Sequence, residues 1–180
     1  MNSQLTPSVF LTVLFCLSCA GQVQQAGGKW IHVTSQDPLT DARSEAFTLE
    51  SDNEIDDGIA RGKVRFSILC SGGKSPRWIG SGLDSPVVLD SGDTRSAISN
   101  LPQQTVFLRA DSKVHVHMWN VSSTFKLMTV DRGATKEIIQ SKEARIQFRK
   151  ANTESVVALF SPANLDLSLL GAACGAKTFK

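Results

Sequence analysis

The stretch KVRFSILC, residues 63–70, carries Val64, Phe66, Ile68 and Cys70 at every second position, with Lys63, Arg65 and Ser67 between them. Successive side chains of a strand point to opposite faces, so this alternation predicts a half-buried β-strand whose inner face ends on a cysteine. Cys70 is then a reactive thiol, a metal ligand or half of a disulfide.

The same period returns in EARIQFRK (143–150), where Ala144, Ile146 and Phe148 share one face and Arg145, Gln147 and Arg149 the other. Further stretches of strand character are KWIHVTS (29–35), EAFTLES (45–51), PRWIGS (76–81), PVVLD (86–90), TVFLRAD (105–111), KVHVHMWNV (113–121), TFKLMTV (124–130) and ESVVALFS (154–161). Turn-formers such as Ser71-Gly72-Gly73, Asp90-Ser91-Gly92-Asp93 and Asp131-Arg132-Gly133 separate them. Many short strands at this spacing predict a mainly β fold, an antiparallel β-sandwich or barrel-like domain. One short C-terminal helix completes it. NLDLSLLGAACG (164–175) puts Leu167, Leu170 and Cys174 at helical spacing, with Asn164 as N-cap and Gly175 as stop. The acidic stretch SDNEIDDG (51–58) reads as a solvated loop, because it lacks the ordered oxygen ligands of a calcium loop.

Residues 9–20, VFLTVLFCLSCA, carry no charge, are too short to span a bilayer as a helix, and end in the small-residue pattern Ser18-Cys19-Ala20. They predict a signal peptide over residues 1–20, cleaved after Ala20, with a lipid anchor at Cys19 as the alternative. The expected mature chain has a flexible segment at 21–29, a single β-rich domain over 30–175 and a short tail at 176–180. A periplasmic or secreted location follows. Lys and Arg number 19 against 17 Asp and Glu, with the signs interspersed, which excludes a nucleic-acid binder built on clustered positive charge. No later apolar run reaches membrane-spanning length, so no span remains once the leader is removed.

Catalytic signatures do not converge. The chain has no nucleophile elbow, no His-Glu-x-x-His and no phosphate-binding glycine loop, and it contains no Tyr. His115 and His117 in VHVHMW project from one strand face together with Trp119, while Val114, Val116 and Met118 take the other. Two such histidines could begin a metal site, but a zinc site needs a third and usually a fourth ligand, and the remaining histidine, His32, has no spacing that brings it near. No metal and no cofactor are therefore assigned, and His115 and His117 stand as the candidates. Trp119 is the candidate anchor for a protein partner if its face is the wet one.

In order along the chain stand Trp30, PLTDA (38–42), a strand ending on Cys70, VFLRAD with Arg109 and Asp111, then Trp119 and Ser122, and finally RIQFR and a strand through Phe160 leading into LDLSLLGAAC. This order resembles the periplasmic type VI secretion-associated proteins of the VasI and TagO kind. The resemblance runs from Trp30 to Cys174 on sparse landmarks, and the "VHVH" stretch carries none of them. It implies a small exported β domain with two cysteines in contact, and it adds Arg109 and Asp111 to Trp119 as interaction candidates.

Two functions from different classes follow. The first is a non-catalytic envelope protein, an accessory or docking component with an envelope protein partner; the second is a small envelope hydrolase or metal-binding protein using His115 and His117. Once the leader is cleaved, Cys70 and Cys174 are the remaining cysteines, and an oxidising compartment pairs them. Cys70 shares its face with apolar residues, which supplies neither a base nor a depressed pKa for a thiol nucleophile.

Overall fold

A computed structural model describes residues 22–72, 75–92, 94–122, 126–175 and 179. The expected leader, with Cys16, Cys19 and the expected cleavage after Ala20, lies outside the described residues, as does most of the expected tail at 176–180.

The described chain is mostly antiparallel β. In order it forms β1 (Gln22–Gln25), β2 (Ile31–Gln36), β3 (Arg43–Asp56), β4 (Arg61–Ser71), β5 (Arg77–Asp84), β6 (Thr94–Arg95), β7 (Pro102–Ala110), β8 (Lys113–Ser122), β9 (Leu127–Val130), α1 (Arg132–Gln140), β10 (Ala144–Arg149), β11 (Ser155–Phe160) and α2 (Leu167–Cys174). All eleven strands belong to one sheet, ordered β1-β2-β3-β4-β5-β9-β8-β7-β10-β11, with β6 paired to β7 off that path. The period-two pattern sorts the faces as expected in β4, where Val64, Phe66, Ile68 and Cys70 are fully buried. They join Phe47 and Leu49 of β3, Val106 and Leu108 of β7, Ile146 and Phe148 of β10 and Phe160 of β11 in one core.

The sheet curls until β11 lies beside β3, and the acidic stretch at 51–58 makes that seam. As far as Asp56 it is a bulged strand rather than a solvated loop: pairing to β4 breaks between Glu50 and Glu54 and resumes through Asp56, and Asp57 and Gly58 lie beyond β3. Within the bulge Ser51 is buried and its hydroxyl accepts from Val64 N–H while donating to Asn53 C=O. The Asn53 amide then donates to Val157 C=O and accepts from Leu159 N–H, both at 2.8 Å. One side chain thus meets backbone groups of β11 that a neighbouring strand would otherwise meet. Asn53→Ala is expected to lower stability by about 1–2 kcal/mol, because it removes two hydrogen bonds to the backbone of β11 at a partly exposed seam; urea unfolding checks it, and an unchanged midpoint would show that the seam is held elsewhere.

Several boundaries differ from expectation. Within the segment 21–29, β1 pairs with β2 in register Gln22↔Thr34 to Gln25↔Ile31, and Ala26 is in the core. The tight connection needs Gly27 and Gly28, both at positive φ, and a Cβ on Gly27 would meet Asn164 C=O at 2.0 Å. PVVLD yields only an isolated bridge, Leu89 to Lys150, though Val87 and Leu89 are buried. Helix α2 is capped by Asp166, whose carboxylate accepts from Ser168 and Leu169 N–H, while Asn164 sits at φ 70 before it. Leu167 is exposed, and the buried stripe is Leu170, Ala173 and Cys174.

Helix α1 is a second helix, beyond the one expected. Asp131, taken with Arg132 and Gly133 as a turn, is its N-cap, and Ala134, Thr135, Ile138 and Ile139 are its buried side. Cys70 and Cys174 form a disulfide with Cα atoms 5.0 Å apart, tying α2 to the inner face of β4. Among the described residues no helix is long and apolar enough to cross a membrane.

Candidate functional site

Two features stand apart from the core: a histidine–carboxylate cluster between β8 and α1, and an apolar patch on the outside of β7 and β8 that continues across β10 to β11.

The cluster begins with strand alternation. His115, His117 and Trp119 share one face of β8, as expected; that face is the inner one, and α1 brings Glu137 opposite them, with its N-cap Asp131 at the near end. The Asp131 carboxylate accepts from His117 Nδ1–H at 2.9 Å and from the Trp119 indole N–H at 3.0 Å through one oxygen. Its other oxygen accepts from Ala134 N–H at 2.9 Å. Burial by itself would raise the Asp131 pKa. The Ala134 backbone donor, the Trp119 indole and the His117 ring more than offset it and hold the carboxyl below the usual carboxylate range.

Glu137 faces both histidines, with Oε1 3.6 Å from His115 Nδ1 and Oε2 3.6 Å from His117 Nε2. That is too long for a direct hydrogen bond. His117 Nε2 and Glu137 Oε2 are both buried atoms without a hydrogen-bond partner. His115 and Glu137 also line a cleft of about 240 Å³ that opens between the β7–β8 turn and α1.

His32 takes no part in this cluster. It lies buried on β2, stacked on Phe47, accepting from the Gln24 amide and facing Glu45 at 2.8 Å.

Trp119 is 1 % exposed, so it fills the core and is not an exposed anchor. The reason is α1, which covers the histidine face of β8 and leaves Val114, Val116 and Met118 on the wet side. Asp111, at φ 53, opens the β7–β8 turn, and its carboxylate accepts from Lys142 and Glu143 N–H. Arg109 is exposed on the outer face of β7.

That outer face is the second feature. Phe107 is paired with Val116, Thr105 with Met118 and Arg109 with Val114 across β7 and β8. Phe107, Val114, Val116 and Met118 are 45–61 % exposed, and Val157 of β11 is exposed beside Gln147. Arg109 stands directly opposite Arg145 of β10.

The sequence pointed to both histidines and to Arg109, and it missed Asp131, Glu137 and the outer apolar patch. An Asp followed by Ala and Ile at helical spacing was the available signal for the first two. No family model matches the chain, and no curated protein or solved structure matches it at a significant level.

Proposed function

We propose that this chain is an exported, non-catalytic protein of the cell envelope that docks onto a protein partner through the outer face of β7, β8 and β10, as an accessory component similar to the type VI secretion-associated proteins. The observation that carries the docking reading is the contiguous exposure of Phe107, Val114, Val116 and Met118. Exposed apolar residues that adjoin one another mark interaction surfaces, whereas single ones need no explanation.

The partner's chemistry follows from the rim. Like charges directly opposite on neighbouring strands are destabilising in isolation, yet Arg109 and Arg145 are so paired, with Glu143 taking part of the Arg145 charge. A partner that brings carboxylates beside apolar side chains relieves this repulsion and covers the patch. The leader-like residues 9–20 support export, and the Cys70–Cys174 bridge supports an oxidising compartment, since such bonds are rare in the reducing cytoplasm.

The experiment is native electrophoresis of the protein from its own cells. The unaltered protein and an Ile59→Asp control, altered at an exposed turn residue, are expected in a species larger than the monomer, and Val116→Asp in the monomer alone. Substitution at such an exposed site shifts stability by only about 0.5 kcal/mol, so unfolding does not account for the loss. A Val116→Asp protein that keeps the larger species would remove this face as the docking surface.

A further inference from the structure

We propose that His117, Glu137 and His115 form a binding site for one divalent transition-metal ion of the zinc class, with Asp131 fixing His117 in the ligating tautomer. The inference is independent of the docking face.

Asp131 in its ionised form can only accept, so the 2.9 Å contact puts a proton on His117 Nδ1, and in the neutral ring the lone pair is then on Nε2, 3.6 Å from Glu137. Opposite that lone pair stands Oε2, another acceptor. Both atoms are buried, neither has a hydrogen-bond partner, and they are 3.6 Å apart. Two acceptors held face to face out of water call for a positive centre between them. A proton does not bridge that distance well, but a metal ion does. Bonds of about 2.0–2.2 Å from zinc to nitrogen or oxygen leave two ligands of a tetrahedral site about 3.3–3.6 Å apart.

The third ligand has to swing in, because no three His, Cys, Asp or Glu side chains among the described residues already converge at metal-holding spacing. His115 can do so. Its ring is 42 % exposed at the mouth of the cleft, and its Nδ1 is already 3.6 Å from Glu137 Oε1. His117 and Glu137 are held more firmly, the former by Asp131 and the latter on a helix anchored through Ile138 and Ile139. The cleft supplies the entry path and room for a water as fourth ligand.

The carboxylate behind the histidine is the arrangement that orients metal-ligating imidazoles and raises their basicity. Asp131 is thus a positioning residue whose own contacts, the Trp119 indole and the Ala134 N–H, fix its carboxylate in turn.

The test is titration of the purified, metal-stripped protein with zinc by calorimetry, and with cobalt(II) by visible absorption. One equivalent of zinc is expected, with the intense bands of tetrahedral cobalt(II). Asp131→Asn, which keeps a good N-cap, is expected to weaken zinc binding about 10–100-fold with little change in thermal unfolding of the metal-free protein. His115→Ala with Glu137→Gln, both at solvent-accessible side chains, is expected to abolish binding while the far-ultraviolet circular dichroism stays that of the parent. Absence of a saturable equivalent in the parent would overturn the proposal, as would undiminished binding by the double variant.

Discussion

Replacing Cys70 and Cys174 together by Ala is expected to bring the protein close to the edge of unfolding at room temperature. The bond links residues 104 apart in sequence, and constraining a loop of that length removes about 4–5 kcal/mol of unfolded-chain entropy. A domain of this size has a total stability of only about 5–15 kcal/mol. The native state adds a packing loss, since both cysteines are fully buried and one anchors α2, whose remaining buried residues are Leu170 and Ala173. Urea unfolding of the double variant should show a midpoint reduced by more than half, while the parent, alkylated without reduction, should yield no modified thiol and a linked peptide pair. A variant with an unchanged midpoint would mean that the bond contributes nothing to stability.

The second large effect is expected at Trp30. Its ring is fully buried, meets Phe66 edge-on at 5.9 Å between centroids, and its indole N–H donates to Pro162 C=O at 2.8 Å, 132 residues away. Trp30→Ala removes both the packing and the donor and is expected to cost about 3–5 kcal/mol. Trp30→Phe keeps much of the apolar volume and loses the donor, so a smaller cost of about 1–3 kcal/mol is expected from the carbonyl left without its partner. Equal costs for the two variants would show that the hydrogen bond to the C-terminal segment, and not the ring packing, is what Trp30 supplies.

Period-two alternation made β4 and β10 legible because in both strands every inward side chain is apolar. It failed to say which face of β8 is inward. There the apolar set, Val114, Val116 and Met118, is outside, and the polar set, His115 and His117, is inside with Trp119. What decides is α1, a helix of nine residues whose apolar side is only Ala134, Ile138 and Ile139 with Thr135. Asp131-Arg132-Gly133 looks like a turn locally, and tertiary cover makes it a helix start. The same omission hid the site: Glu137 is unremarkable in sequence and meets the histidines only when α1 crosses β8. The bulge at Ser51–Asn53 was equally hidden, since Asn53 looks like a loop residue until β11 arrives from a hundred residues away to use both ends of its amide. Cys70 and Cys174, in contrast, could be paired from sequence because the leader reading left a single connectivity.

The central claim, that the outer face of β7, β8 and β10 is where this protein meets a partner, is tested most directly by photo-crosslinking in intact cells. A photoreactive residue at position 116 should give one discrete adduct with another protein, absent when the same residue stands at position 59 and reduced when Arg109→Glu is added. No adduct from position 116 above that from position 59, or adducts only between copies of this chain, would contradict the claim.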